Sequence, residues 1–294
     1  LYQKSGVQFA LRKTRALGLF SKRLETLEQL LPDIRTKFFE LGKTYAPAVE
    51  AETGKKVAFF SGCIMGVALE GVNEATVSLL NKAGYSVEVP ERQVCCGALN
   101  VHSGETKTAK KMARKNVDAF LSDDYEAVIV NAAGCGAMLK EYGRLLKDDP
   151  GYSEKAKAFV KKVKDLTEFL DTAKISGKFR ETKASVTYQD PCHLGNVQKV
   201  SAQPRSLLKQ IPGIKLIELP RHELCCGSAG IYNIVNTELS LKILQRKMED
   251  IKSTGADIVV TANPGCLFQL QYAINRDKLP LKAIHIASFL DNCC

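Results

Sequence analysis

The chain of 294 residues has no tryptophan, four histidines, and neither a Cys-x-x-Cys nor a Gly-x-Gly-x-x-Gly run. Without the glycine fingerprint after a strand, a nucleotide or flavin site in this chain has no support, so any flavin chemistry belongs to another protein. Aromatic residues make up 7% of the chain. They are not interleaved with the basic residues and no recognised motif is present, which leaves nucleic-acid binding unsupported. The longest uncharged apolar stretch, Ala127 to Leu139, is too short to span a bilayer and reads as a buried strand running into a loop and helix. His102, His193, His222 and His285 are scattered and form no Ser/His/Asp or Cys/His constellation. The first residues lack a basic, then apolar, then small secretory pattern. Because the chain begins at Leu1 rather than methionine, an upstream part is expected.

What is abundant is cysteine. Eight of the ten fall into two sets with the same internal spacing: Cys63, Cys95-Cys96-Gly97 and Cys135, then Cys192, Cys225-Cys226-Gly227 and Cys266. Matching members lie 129 to 131 positions apart, which is the mark of a tandem duplication. Thiolates are soft ligands that select iron–sulfur clusters, zinc or copper(I), so a repeated four-thiol unit points to two metal centres. Ten cysteines in a large lysine-rich chain do not resemble a small secreted disulfide scaffold, and a reducing cytoplasm is expected.

Length and an apolar content of 45% fit about two domains with sizeable cores. The net charge of +10 is uneven: residues 1–24 carry Lys4, Arg12, Lys13, Arg15, Lys22 and Arg23 and no acid. Such a stretch can attract an acidic partner or the anionic inner face of a cell membrane, and a solvated linker or helix face is the competing reading. Val7, Leu11, Leu17, Leu24, Leu27, Leu30 and Leu31 give a helical pattern that stops at Pro32, an N-terminal segment that must pack on something.

From residue 55 the pattern alternates. Strands are expected at Lys56–Ser61, Tyr85–Pro90 and Ala127–Asn131, with helices at Glu70–Ala83, from an N-cap at Ser103 through Phe120, and around Met138–Leu146 and Glu154–Lys162. The second half repeats the order, with strands at Ser185–Gln189, Ile214–Leu219 and Asp257–Thr261. Its Ile284–Asp291 echoes Val163–Asp171. The expected fold is therefore α/β: two pseudo-symmetric parallel-sheet domains, 55–175 and 176–294, preceded by a helical segment, 1–54. Each repeated cysteine follows a strand, at the sheet edge where ligands bind in such folds.

Three readings compete with a cluster. Vicinal disulfides are disfavoured in a reducing compartment, zinc modules usually present Cys-x-x-Cys pairs, and ordinary buried cysteines do not explain mirrored spacing. Zinc in one site stays open. Adjacent thiolates reach one centre only if the backbone turns, which the following glycine permits, and separate iron atoms give two neighbouring sulfurs different targets. Asp190 before Pro191 reads as a turn organiser. His193 is read as a capping or core histidine in preference to a donor to cluster sulfur.

Six segments, Leu1–Gly6, Cys95–Leu99, Val130–Gly136, Asp190–Leu194, Glu223–Asn233 and Asn263–Leu267, together resemble the cysteine-rich CCG family. That family occurs in heterodisulfide reductases, in archaeal-type succinate:quinone reductases, and in the iron–sulfur subunits of glycolate and D-lactate oxidases, and the chain is most similar to the glycolate oxidase group. The resemblance implies an electron-transfer subunit that takes electrons from an FAD-containing 2-hydroxy-acid dehydrogenase subunit and passes them towards a membrane acceptor. It also implies a ferredoxin-like domain with two four-cysteine runs, to be found upstream or on a separate chain. In heterodisulfide reductase each repeat ends in Cys-x-x-Cys, and five cysteines hold a noncubane cluster. Here those runs read Cys135-Gly-Ala-Met138 and Cys266-Leu-Phe-Gln269, leaving four thiols per site, the number a [4Fe–4S] cluster needs. A disulfide-reducing subunit is the alternative that the missing fifth cysteines count against. Cys293-Cys294 read as free thiols on a frayed terminus.

Overall fold

The computed structural model describes residues 2–32, 34, 37–47, 54–122, 125–173, 175 and 179–294. Leu1 of the N-terminal motif and position 176 at the expected domain boundary lie outside them. The expected N-terminal helix is three short ones, α1 (Val7–Thr14), α2 (Ala16–Phe20) and α3 (Lys22–Gln29). Arg15 breaks the first from the second with a left-handed backbone (φ 54°), and the Ser21 hydroxyl caps the third by accepting from Leu24 N–H. A short strand that the pattern did not place, β1 (Lys43–Tyr45), follows.

The first repeat runs β2 (Lys56–Phe60), α4 (Cys63–Ala68), α5 (Glu70–Lys82), β3 (Ser86–Val89), α6 (Ala98–His102), α7 (Thr106–Phe120), β4 (Tyr125–Val130), α8 (Ala133–Lys140), α9 (Tyr142–Leu145), α10 (Ser153–Lys162), β5 (Val163–Asp165) and α11 (Leu166–Thr172). Ser103, expected to cap the helix after the CCG turn, instead closes α6 by donating its N–H to the carbonyls of Leu99 and Asn100. The cause is a pair of left-handed glycines, Gly97 (φ 81°) and Gly104 (φ 82°), which bracket a separate helical turn and delay α7 to Thr106.

The second repeat runs β6 (Ala184–Gln189), a π-helical turn (His193–Val197), α12 (Ala202–Lys209), β7 (Ile214–Ile217), α13 (Tyr232–Val235), α14 (Thr237–Ser253), β8 (Ile258–Thr261), α15 (Pro264–Asp277), β9 (Lys282–His285) and α16 (Ile286–Asn292). The sheets have the orders β1-β3-β2-β4-β5 and β7-β6-β8-β9. Without β1, which pairs antiparallel with β3, the two sheets are parallel and have the same order, so the architecture is duplicated α/β.

One core runs through both halves. Phe59, Leu79, Leu80, Ile129 and Phe169 of the first share a buried cluster with Tyr188, Leu207, Leu208, Phe289 and Leu290 of the second. Helices α5, α11, α12 and α16 thus lie between the sheets, while α7 and α10 cover the outer face of the first sheet and α14 and α15 that of the second. Cys293 belongs to this shared core at 2% exposure, and Arg180 N–H donates to its carbonyl, so the terminus is anchored, not frayed. The sequence hid this because the partner, around Arg180, is more than a hundred residues away. Among the described residues no helix is long and apolar enough to cross a membrane.

Candidate metal centres

Each set of four thiols collects at the carboxyl edge of its own sheet. Cys63 opens α4 just past β2, Cys95 and Cys96 lie in the loop after β3, and Cys135 sits in the first turn of α8 past β4. In the second half Cys192 precedes the π turn after β6, Cys225 and Cys226 follow β7, and Cys266 sits in the first turn of α15 past β8. Cys63 Sγ lies 3.7 Å from Cys95 Sγ, and Cys226 Sγ lies 3.0 Å from Cys266 Sγ. The thiols interact in the same sequence in both halves: Cys63 with Cys95, Cys95 with Cys96, Cys96 with Cys135, and Cys192 with Cys225, Cys225 with Cys226, Cys226 with Cys266. No disulfide joins the described cysteines. Among the described residues no three His, Cys, Asp or Glu side chains form a group arranged around one metal ion. The sulfurs meet pairwise along a rim.

The electrostatics repeat as well. Hydrogen bonds from Cys63 and Cys96, with the Gly97 N–H, hold the Cys95 thiol far below its ordinary range as a thiolate. Cys192 and Cys226, with the Gly227 N–H, do the same for Cys225. The donors show the complementary shift: Cys63, Cys96, Cys192 and Cys226 are pushed up, chiefly by sharing their protons with the neighbouring sulfur. A site that favours deprotonated sulfur and surrounds it with further thiols has the donor chemistry of an iron–sulfur site.

The backbone is shaped to fit. Gly97 and Gly227 have φ of 81° and 91°, giving the turn that two adjacent thiols need to face one centre. A Cβ on Gly227 would stand 2.5 Å from the Ser240 carbonyl oxygen, and one on Gly97 would stand 3.3 Å from Ala109 Cα. Only glycine lets each CCG turn rest on the following long helix.

Several supporting residues carry no signal in the sequence pattern. Asn116 accepts from Val94 N–H at 2.8 Å and donates to the Cys95 carbonyl at 3.2 Å and to Tyr142 Oη at 2.9 Å, and Tyr142 in turn donates to the Cys96 carbonyl at 2.8 Å. In the second half the buried Lys247 donates to the carbonyls of Arg221 and His222, and Ser240 donates to the Gly227 carbonyl at 2.8 Å. Asp190 does more than organise a turn, since Arg205 holds it by two hydrogen bonds of 2.7 and 2.8 Å and so fixes the chain entering Cys192. Gln269, where heterodisulfide reductase has its fifth cysteine, donates to Ser240 Oγ and accepts from Asn233. It is part of the scaffold.

His193 is neither cap nor core. Its Nδ1 lies 3.5 Å from Cys192 Sγ, and its ring stands edge-on to that of His102 at 6.1 Å, burial holding it below the ordinary histidine range. The two rings, one from each half, line a cleft of about 650 Å³ with Val101, Met138, Lys110 and Arg144.

Twin parallel sheets that each gather four thiols at the carboxyl edge define a duplicated cysteine-rich α/β protein. The chain belongs to the CCG cysteine-rich domain family, which matches it twice, over residues 57–140 and 186–271. It is 47% identical to a probable glycolate oxidase iron-sulfur subunit from Bacillus subtilis over 99% of this chain, and it spans 66% of that relative's length. Lactate utilization protein A from Halalkalibacterium halodurans is 35% identical over 81% of this chain and 97% of its own length. The crystal structure of a hypothetical protein from Helicobacter pylori shares the fold, with a TM-score of 0.59 at 10% identity over 91% of this chain and 53% of that one.

Proposed function

We propose that the chain is the electron-relay subunit of a flavin-dependent 2-hydroxy-acid dehydrogenase acting on glycolate or D-lactate, with one [4Fe–4S] cluster per repeat. The observation that carries this reading is the pair of matched four-thiol rims, one at the carboxyl edge of each parallel sheet. The names of the relatives, a glycolate oxidase iron-sulfur subunit and a lactate utilization protein, supply the reaction class. Cys63, Cys95, Cys96 and Cys135 would hold the first cluster, and Cys192, Cys225, Cys226 and Cys266 the second. A bound cluster supplies one-electron transfer. The chain's own part is to fix the sulfurs, to donate N–H groups to them from Gly97 and Gly227, and to bury Cys96 and Cys226 away from water. No side chain here is assigned as acid or base on the hydroxy acid.

An FAD-containing subunit oxidises the substrate, and a ferredoxin-like domain, upstream or separate, completes the wire. The division into 1–54, 55–175 and 176–294 belongs to the same proposal, with β1 of the leading segment hydrogen-bonded into the first sheet. The six N-terminal cations, with Leu19 and Phe20 at 86% and 85% exposure, support a cytoplasmic place against the inner face of the cell membrane.

Iron, zinc and acid-labile sulfide assayed on anaerobically purified protein, with electron paramagnetic resonance after reduction, test the reading. Iron with sulfide and a signal from each repeat is expected, together with copurification of an FAD protein. Zinc without sulfide overturns it.

A further inference from the structure

Asn263 occupies the N-cap position of α15, three residues before Cys266; its carbonyl accepts from Leu267 N–H, yet its side chain caps none of its own helix's N–H groups. Its Oδ1 accepts from Gly134 N–H at 3.0 Å, in the first turn of α8, the helix that carries Cys135. Its Nδ2 donates to Cys266 Sγ at 3.6 Å. One side chain therefore touches the helix of the last thiol of the first set and the last thiol of the second. Next to it Ala133 N–H donates to the Ala262 carbonyl at 3.1 Å, so the two loops are joined by backbone as well.

The contact runs one way. Ala132 stands where the first repeat would have its own asparagine, and as the N-cap of α8 it offers no side-chain acceptor. The second repeat thus supplies the cap that the first lacks. Gly134 and Gly265 both lie against this amide, at contact distance from Asn263 Oδ1 and Nδ2, and a Cβ on Gly265 would meet Ser228 Oγ at 2.6 Å. An N–H donated to a ligating sulfur interacts more strongly with the reduced, more negative centre, and so raises its reduction potential.

We propose that Asn263 is a clasp between the two thiol sets, a positioning residue that caps the helix bearing Cys135 and sets, through its amide N–H, the reduction potential of the centre at Cys192, Cys225, Cys226 and Cys266. The second half of this statement rests on the cluster-binding reading above, and the first does not. Two variants separate the roles. Asn263→Ala loses acceptor and donor, whereas Asn263→Asp keeps an acceptor for Gly134 and loses the donor to sulfur.

The potentials of both centres are read by potentiometric titration under electron paramagnetic resonance, and amide exchange at Gly134 is read on the full chain with and without iron. Asn263→Ala lowers the potential of the second centre, leaves the first in place, and speeds exchange at Gly134. Asn263→Asp lowers the second potential and keeps Gly134 protected. An unchanged second potential in Asn263→Ala, or equal falls in both centres, overturns the tuning role. Unchanged exchange at Gly134 in Asn263→Ala overturns the cap. Should the parent chain hold no cluster at all, the relay reading fails while the exchange measurement still judges the clasp.

Discussion

In the first repeat the chain before Cys95 hangs on Asn116, whose amide is fixed by the Tyr142 hydroxyl, while in the second the corresponding loop hangs on the ammonium of Lys247. Asn116 and Lys247 project from equivalent long helices, α7 and α14, and Ala109 against Gly97 corresponds to Ser240 against Gly227. A neutral amide network and a buried cation perform the same task. The thiols and the glycine between pair and helix are common to both halves, because any other residue would be strained in the left-handed turn. The scaffold needs only a donor or acceptor within reach of a few backbone groups, and several side chains satisfy that.

The strongest way to break the comparison is to remove one thiol per half. Cys96→Ser should abolish the first centre and Cys226→Ser the second, each leaving about half of the iron and sulfide, since four thiolates complete a cluster. Metal analysis and the surviving resonance signal check this. Loss of both centres from either variant would mean that the shared core, not the individual rim, controls assembly.

A smaller effect separates the two glycines. Alanine at either position must adopt the left-handed backbone, which costs about 1–2 kcal/mol. At Gly227 the new Cβ also meets the Ser240 carbonyl at 2.5 Å, whereas at Gly97 the nearest atom is Ala109 Cα at 3.3 Å. Overpacking adds roughly 1–3 kcal/mol where neither atom can move, so Gly227→Ala should lose more stability in urea than Gly97→Ala. Equal losses would show that the second turn can shift away from α14.

These contrasts separate what the chain discloses from what folding adds. The succession of strands and helices along the chain, the duplicated fold and the two thiol sets follow from hydrophobic alternation and from spacing, which are properties of the chain itself, whereas the order of the strands within each sheet is set by folding. Tyr142, Lys247 and the anchoring of Cys293 do not, because each depends on a partner brought close only by folding. β1 leaves little trace because three residues, Lys43-Thr-Tyr45, at an antiparallel edge carry little pattern. The place of His193 is hidden for a related reason: the cleft it lines needs both halves, and the sequence shows only its neighbour Cys192.

The caps after the last strands differ in kind and sharpen the comparison through pH. Asp165 caps α11 by accepting from Thr167 N–H, and His285 caps α16 by accepting from Ala287 N–H. Burial pushes the Asp165 carboxyl from 3.8 up to about 6, and burial pushes the His285 imidazole from 6.5 down to about 4. Between those limits folded Asp165 keeps a proton that the unfolded chain gives up, so its contribution to stability falls as pH rises. Folded His285 refuses a proton that the unfolded chain accepts, so its contribution rises with pH. The two slopes oppose each other in the parent chain. Relative to it, Asp165→Asn should gain roughly 2–3 kcal/mol more stability on going from pH 4 to 6, and His285→Asn should lose a similar amount, both variants keeping a capping side chain. Parallel profiles in urea titrations at several pH values would remove the assigned shifts.

The smallest expected effect concerns how the halves are joined. Asp291 on α16 accepts from Ser78 Oγ at 2.6 Å and pairs with Lys82 at 2.8 Å, both on α5 of the first repeat. Its counterpart in the repeat, Asp171, has no ion pair among the described residues. The Lys82–Asp291 pair is partly exposed, at 35% and 24%, so water screens it, and a contact of this kind contributes about 0–1 kcal/mol. The buried Leu79, Leu80, Phe289 and Leu290 beneath it belong to one core, and hydrophobic burial at that interface contributes more. Asp291→Ala should therefore lower stability in urea by roughly 1 kcal/mol or less, and Asp171→Ala by less still. A loss of several kcal/mol from Asp291→Ala, or separate unfolding of the two halves, would mean that the polar latch and not the shared core holds the repeats in register.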